Sequence, residues 1–156
     1  MMDGINFTDK AKRYTWILPV IWMGVIFMLS HQSGEESSGL SGGITGFMLN
    51  LAGSLGIELD GMRFHSMIRV LGHFTEYFIL GQLWHITLRF REIPPNQAAI
   101  TAFSISLGYA VFDEIHQYFI PGRACEIADI LVDAAGAGVA SILGWLTGLA
   151  ETKKVV

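Results

Sequence analysis

Four long apolar stretches alternate with polar segments along the chain. They cover about residues 14–30, 68–88, 97–115 and 127–150. Each stretch is near the roughly 20 residues that a helix needs to cross the hydrocarbon of a bilayer. A helix satisfies its own backbone hydrogen bonds, as lipid requires. The pattern therefore predicts an all-α, polytopic membrane protein with four transmembrane helices in one domain, residues 1–156.

The connection between the first two spans is long, and it divides into two parts. Its beginning, residues 33–43, is rich in serine and glycine, which is typical of a flexible and well-solvated run. Apolar residues then recur at helical spacing, namely Ile44, Phe47, Met48, Leu51 and Leu55. This stripe predicts an amphipathic helix, which either lies flat at the membrane interface or packs over the bundle.

The charges of the loops predict the orientation. Seven of the ten basic residues lie at the N-terminus, in the second connection and at the C-terminus: Lys10, Lys12, Arg13, Arg89, Arg91, Lys153 and Lys154. Positive residues mark the cytoplasmic side, so both termini are expected there. The first and third connections, with the adjoining helix ends, then face outward, and they hold ten of the fourteen acidic residues.

Composition agrees with a membrane location. The 156 residues are 51% hydrophobic and only 15% charged, whereas soluble domains are about 25% charged. The net charge of −4 argues against nucleic acid as a partner. The single cysteine, Cys125, excludes an internal disulfide.

The fourth span contains Gly144 and Gly148 in a GxxxG arrangement. Small residues at this spacing let the backbones of two helices approach closely. The partner is either another helix of the same chain or a second copy of the protein.

Nearly all the unusual polar residues of the spans lie at the predicted outer ends. On the second span, Arg69, His73, Glu76 and Tyr77 are spaced to share one helical face. A buried carboxylate without a partner would protonate, so Glu76 is expected to pair with Arg69, Arg123 or a bound cation.

The other three spans add polar residues at the same level. Asp113, His116 and Gln117 can share one face of the third span, with Glu114 rotated away by about 100°. The fourth span opens after Pro121 and Gly122 with Arg123, Glu126, Asp129 and Asp133, and the first span ends in Ser30, His31 and Gln32.

A charge inside hydrocarbon costs roughly 2.5–3.5 kcal/mol on insertion scales, so these residues are candidates for function. We expect one polar pocket that opens outward; the alternative is a set of structural hydrogen bonds, worth only about 0.6 kcal/mol each. The catalytic candidates are His73, Glu76, Asp113 and His116. The ligand-binding candidates are Ser30, Gln32, Arg69, Tyr77, Glu114, Gln117, Arg123, Asp129 and Asp133.

These motifs resemble the VanZ-like family of bacterial membrane proteins, over roughly residues 15–147. The resemblance rests on Ser30-x-Gln32, on Arg69 with His73-Phe-Thr-Glu76-Tyr77, and on residues 113–123, Asp-Glu-Ile-His-Gln-Tyr-Phe-Ile-Pro-Gly-Arg, followed by Asp129 and Gly136. It implies a protein of the bacterial plasma membrane and a link to the cell envelope and teicoplanin resistance. His31, Val70 and Asp133 depart from the family pattern, where a small residue, Lys and Asn are usual.

Three functions remain open. The first is an accessory protein that binds a lipid-linked envelope component, such as a cell-wall precursor, or a glycopeptide-related ligand, with membrane lipids around it. The second is a hydrolase or transferase acting on a lipid-phosphate headgroup, since His, Glu and Asp supply acid–base groups and Arg123 suits a phosphate. The third is a proton- or ion-coupled transporter. A divalent metal also stays open as a cofactor, because the acids suit a hard ion as readily as Zn²⁺.

Overall fold

The computed structural model describes residues 14–154 of the chain, with side chains described for residues 14–149. Lys10, Lys12 and Arg13, which contribute to the predicted orientation, lie outside the described residues. Residues 14–154 form five α-helices and no strand: α1 (Ile17–Ser30), α2 (Gly34–Ser54), α3 (Gly61–Phe90), α4 (Pro95–Gln117) and α5 (Ile127–Lys154). The all-α prediction is confirmed.

Two helices of the described chain are long and apolar enough to cross a membrane, namely α4 and the Ile127–Leu149 part of α5. Helices α1 and α2 meet the same measure together, but the pair is bent by 104° at the short break between them. There are therefore two candidate spans, or three if the bent pair counts as one. Helix α3, where the second crossing was predicted, does not meet the measure, because His, Gln, Glu and Arg side chains recur along it.

The long helices alternate in direction. At one end of the bundle, the hydroxyl of Thr87 on α3 donates to the carbonyl of Thr15, 3.1 Å away, just before α1. At the other end, Ser30 at the close of α1 contacts Asp113 near the close of α4. Helices α1 and α4 therefore run one way and α3 and α5 the other. We call the end that contains Ser30, His73 and Asp113 the polar end, and the end that contains Thr87 the opposite end.

The core lies between α1, α3, α4 and α5. Its largest cluster of fully buried apolar side chains is formed by Ile26, Tyr77, Leu80, Ala110 and Ala137. In water, burial of a large apolar side chain such as Leu80 contributes about 1.5–3 kcal/mol to stability. In lipid, the main contribution to helix association comes from close packing. Small alanines on α4 and α5 therefore matter because they allow the larger aromatic residues of α1 and α3 to fit.

The glycines of α5 pack inside the bundle. A β-carbon at Gly144 would overlap the ring of His85 on α3, and one at Gly148 would overlap the ring of Pro95 at the start of α4. Both glycines are buried. The intramolecular interpretation of the GxxxG arrangement is therefore confirmed for these residues.

Helix α2 begins earlier than its sequence suggests. Residues 34–43, predicted to be flexible, are helical, so that prediction was wrong. The reason is a capping box, in which the Ser33 hydroxyl accepts from the Glu36 amide and the Glu36 carboxylate accepts from the Ser33 amide. Ser41 and Thr45 then donate to carbonyls one turn earlier, at 2.9 and 2.8 Å. These bonds satisfy side-chain hydroxyls that usually bond to water when they lie in a loop.

Candidate functional site

A buried hydrogen-bond relay joins the ends of α1 and α4. The Ser30 hydroxyl donates to Asp113 Oδ2 at 2.5 Å. The Gln117 amide donates to the Ser30 oxygen at 2.9 Å and to the same Asp113 oxygen at 3.0 Å. Gln117 Oε1 in turn accepts from Arg123, through Nε at 3.1 Å and through a short bond from Nη2. The relay therefore fixes the guanidinium of Arg123 by way of three side chains that are almost fully buried.

The loop that carries Arg123 is held from two sides. Glu114 is almost fully buried, and its Oε1 accepts from the backbone amide of Glu126 at 2.6 Å. The amide of Gly34, at the start of α2, donates to the carbonyl of Pro121 at 3.1 Å. Gly122 has a φ of 75°, which favours glycine, and a β-carbon at Gly34 would overlap the Gly122 backbone. The loop thus depends on two glycines and one buried acid.

His73 on α3 lies between two acids of α5. Its Nδ1 is 3.2 Å from Asp133 Oδ1, and its Nε2 is 3.8 Å from Asp129 Oδ2. Asp133 is almost fully buried. The carboxylate that departs from the family pattern therefore has a partner, and both ring nitrogens of His73 face carboxylates.

A second group of histidines lies where the ends of α1 and α4 meet. His31 Nδ1 and His116 Nε2 are 3.2 Å from each other, and the His116 ring stacks on Phe27 with centroids 4.5 Å apart. Asp113, His116 and Gln117 thus all contact the end of α1, as their spacing predicted.

Two cavities open at the polar end. The first has a volume of about 170 Å³ and lies between α1, α2 and α3. The second, about 210 Å³, lies between the start of α2, the Arg123 loop and the start of α5. Three residues line both, namely Ser37, Arg69 and Arg123.

The charges at the junction of the two cavities are not neutralised by ion pairs. Within residues 14–149, neither Arg69 nor Arg123 has a carboxylate oxygen within 4 Å. Glu76 lines the first cavity and is not ion-paired to Arg69 or Arg123, so neither arginine is its expected partner, and a bound cation stays a prediction. Two guanidinium groups therefore face the space between the cavities.

The structure brings most of the predicted site residues to these cavities. Those that line one or both are Ser30, Gln32, Arg69, His73, Glu76, Gln117, Arg123 and Asp129. Asp113, Glu114 and Asp133 lie behind them as buried hydrogen-bonding groups. Tyr77 lies in the core, where its hydroxyl has no hydrogen-bond partner among the described residues. His116 belongs to the separate histidine group.

Helix α2 supplies cavity-lining residues that were not predicted from the sequence. Leu40, Ser41 and Ile44 line the first cavity, and Ser37 lines both. A signal was present, since a hydroxyl recurs at every fourth position in Ser33, Ser37, Ser41 and Thr45. Such spacing marks one polar stripe on a helix.

In the part of the chain that the structure describes, no group of three or more His, Cys, Asp or Glu side chains is arranged to hold a metal ion. The buried carboxylates instead bind hydroxyl, amide and imidazole groups of the protein.

A helical protein with apolar, span-length helices and a cluster of buried acids at one end of its bundle is a membrane protein by its physical character. The chain belongs to the VanZ/LLP1 family, whose model matches residues 15–148. The resemblance drawn from the motifs is confirmed. No curated protein and no solved structure matches the chain.

Proposed function

We propose that the protein crosses the bacterial plasma membrane four times, with both termini in the cytoplasm and the polar end outward. The alternating helix directions support this arrangement, since they bring residue 15 and residues 87–95 to one end of the bundle. That end carries Arg89 and Arg91, and positive residues favour the cytoplasmic side. Helix α3, with 30 residues, is long enough to cross at about 1.5 Å per residue.

Helix α2 is proposed to lie flat in the outer interface. Its predicted apolar stripe is exposed, with Phe47 69% and Leu55 70% accessible. Its contact with α3 uses small polar residues instead, such as Thr45, whose hydroxyl is 3.4 Å from His65 Nδ1. An exposed apolar stripe roughly perpendicular to a spanning helix suits an interfacial helix better than a packing helix.

The function that the geometry supports best is that of an accessory protein that binds the phosphate group of a lipid-linked envelope component. One observation carries it: Arg69 and Arg123 line both cavities and have no carboxylate partner within 4 Å among the described residues. Arginine binds phosphate oxygens in pairs, with planar geometry and charge-assisted bonds. The relay through Gln117 holds one of these groups in place before a ligand arrives, which lowers the entropy cost of binding.

Binding is favoured over catalysis because most candidate acid–base groups are already engaged. Both His73 nitrogens face carboxylates, and Asp113 accepts two hydrogen bonds at one oxygen. A general base must be within hydrogen-bond reach of the substrate proton. Groups that hold each other in the protein interior are better suited to positioning an arginine.

The proposal is tested with the full-length protein in detergent, by native mass spectrometry with a long-chain polyprenyl phosphate and with phosphatidic acid. Arg123→Gln and Arg69→Gln should each weaken lipid binding about tenfold or more. Arg63→Gln is the matched control, because Arg63 is exposed and pairs with Asp60 away from the cavities. Equal binding by all three variants would contradict the proposal.

A second candidate function is hydrolysis or transfer at the same phosphate, and Glu76 favours it. Its carboxylate lines the first cavity and makes no hydrogen bond to a described residue. A carboxylate placed beside bound phosphate can act as a general acid or base. Release of a product by the wild-type protein but not by Glu76→Gln, with lipid binding unchanged, would establish this function.

A further inference from the structure

The two cavities of the polar end differ in their linings. The first includes four aliphatic side chains: Leu29, Leu40, Ile44 and Ile68. The second includes none of these and is lined by glycines, Ala124 and the polar residues Ser37, Ser38, Gln117, Glu126 and Asp129 with the two arginines. A ligand that fills both must be apolar on one side of the arginines and polar on the other.

Charge also changes between the cavities. Arg69 and Arg123 are common to both, whereas the carboxylates of Glu126 and Asp129 line only the second. The Glu126 side chain is exposed, and its backbone amide is the group that Glu114 holds. The first cavity carries one carboxylate, that of Glu76, with His73 in the same lining, whereas the second carries two. The aliphatic side chains therefore lie on one side of the arginines and the larger acidic charge on the other.

We propose that the ligand is a lipid phosphodiester whose headgroup carries an amine, such as phosphatidylethanolamine. The inference rests on the proposed function and names the class of lipid. The acyl chain enters by the aliphatic cavity, the phosphate lies between Arg69 and Arg123, and the ammonium group faces Glu126 and Asp129. Two features select this ligand. Its charges complement those of the linings, and a diester has one group on each side of the phosphate, so that it can occupy both cavities at once.

A phosphate monoester would leave the second cavity empty. It would also bring a charge of up to about −2 next to the acids, since its second pKa is near 6. Attraction to two arginines alone nevertheless favours the monoester over a diester, which carries a single negative charge. A preference for the amine-bearing diester would therefore run against simple attraction.

The experiment uses the full-length protein in detergent and compares dioleoyl lipids by native mass spectrometry. Phosphatidylethanolamine should bind about tenfold more tightly than phosphatidic acid and several-fold more tightly than phosphatidylglycerol. Soluble glycerophosphoethanolamine, which has the same headgroup without acyl chains, should not compete at equal concentration. Competition by this compound would overturn the part of the proposal that assigns the lipid chain to the first cavity.

Two pairs of variants test the second cavity. Glu126→Gln should reduce the preference for phosphatidylethanolamine over phosphatidylglycerol at least threefold, and Glu58→Gln, an exposed acid away from both cavities, should leave it unchanged. Ala124→Trp should remove the preference for either diester over phosphatidic acid. Its control is Cys125→Trp, which adds the same bulk one position away at an exposed residue outside the cavity linings.

The outcomes separate the two proposals. If the three lipids bind equally and Arg123→Gln weakens all of them, the phosphate site stands and the amine-bearing diester is overturned. If phosphatidic acid binds best, the diester is overturned as well. If none of the lipids responds to Arg69→Gln or Arg123→Gln, the proposed function fails along with the inference that rests on it.

Discussion

Helices α3 and α5 meet at both ends of the bundle, and the two contacts differ in their chemistry. At the polar end, Gly136 admits the backbone of Phe74, and His73 beside it faces the carboxylates of α5. At the opposite end, Gly144 admits the ring of His85, which is itself buried. One contact combines close backbones with charged side chains, whereas the other relies on the fit of a ring against a glycine.

The difference bears on why the acids are there. At the opposite end, the described side chains include no buried Asp or Glu, yet the same helices pack closely. At the polar end, three acids are almost fully buried. Buried charges are expensive unless they are paired, and helices can pack without them. The acids of the polar end are therefore more than the packing of this bundle needs, which supports a role of Asp113 and Glu114 in positioning Arg123.

The largest effect is expected where two backbones touch. Gly136→Ala should destabilise the protein by about 3 kcal/mol, because the new β-carbon would overlap the Phe74 carbonyl and neither helix can shift locally. Gly138→Ala is the control, since its β-carbon meets only the edge of the Phe103 ring at an ordinary 3.7 Å. Unfolding in mixed detergent and SDS gives both free energies of unfolding. Similar values for the two variants would show that the close approach at Gly136 is unimportant.

The next effect concerns the buried relay. Asp113→Ala should cost about 2 kcal/mol, because it leaves the Ser30 hydroxyl without its acceptor and removes one of the two acceptors of the Gln117 amide. Binding of phosphate lipids should weaken too, since Gln117 would be held less firmly for Arg123. Ser104→Ala, at an exposed position of α4, should change neither quantity. A stable Asp113→Ala protein with normal lipid binding would reduce the relay to an incidental contact.

The sequence predicted the helical class and the family, because these depend on local patterns. Apolar stretches of span length and the spacing of Asp113 through Arg123 are visible without tertiary contacts. The same reasoning placed Ser30, Arg69 and Arg123 at one level, since alternate crossings bring the ends of successive spans to the same side and the loop charges assign that side.

What the sequence did not predict depends on long-range contacts. The contact of His116 with His31 and Phe27 is one example, because it joins two helices that are far apart along the chain. The serine-rich start of α2 appeared to be a linker, because propensity alone undervalues the capping box and the contact of Gly34 with Pro121. The role of Glu114 was also hidden, since its partner is a backbone amide twelve residues away.

At the opposite end, a smaller effect is expected from a side chain that can move. Gly144→Ala should destabilise the protein by about 1 kcal/mol, because the His85 ring must give way while alanine favours the helix. In a protein that already carries His85→Ala, the change Gly144→Ala should cost less free energy of unfolding, because no ring is left to overlap. A double-mutant cycle measures this coupling between the two positions. Lipid binding at the polar end should stay unchanged in the single variant. Weaker lipid binding there would mean that the two ends are not independent.

The most local effect should be confined to the wall of the cavities. Ser33→Ala removes the hydroxyl that caps α2, and such a loss costs about 1 kcal/mol of helix stability. Because α2 joins the bundle at the polar end, hydrogen exchange should accelerate at the amides of residues 36–38 and stay the same at residues 87–90. Ser38→Ala, an exposed serine of the same helix, is the control. Faster exchange at both ends would indicate that the cap supports the whole bundle, and the difference between the two ends would not extend to their local stability.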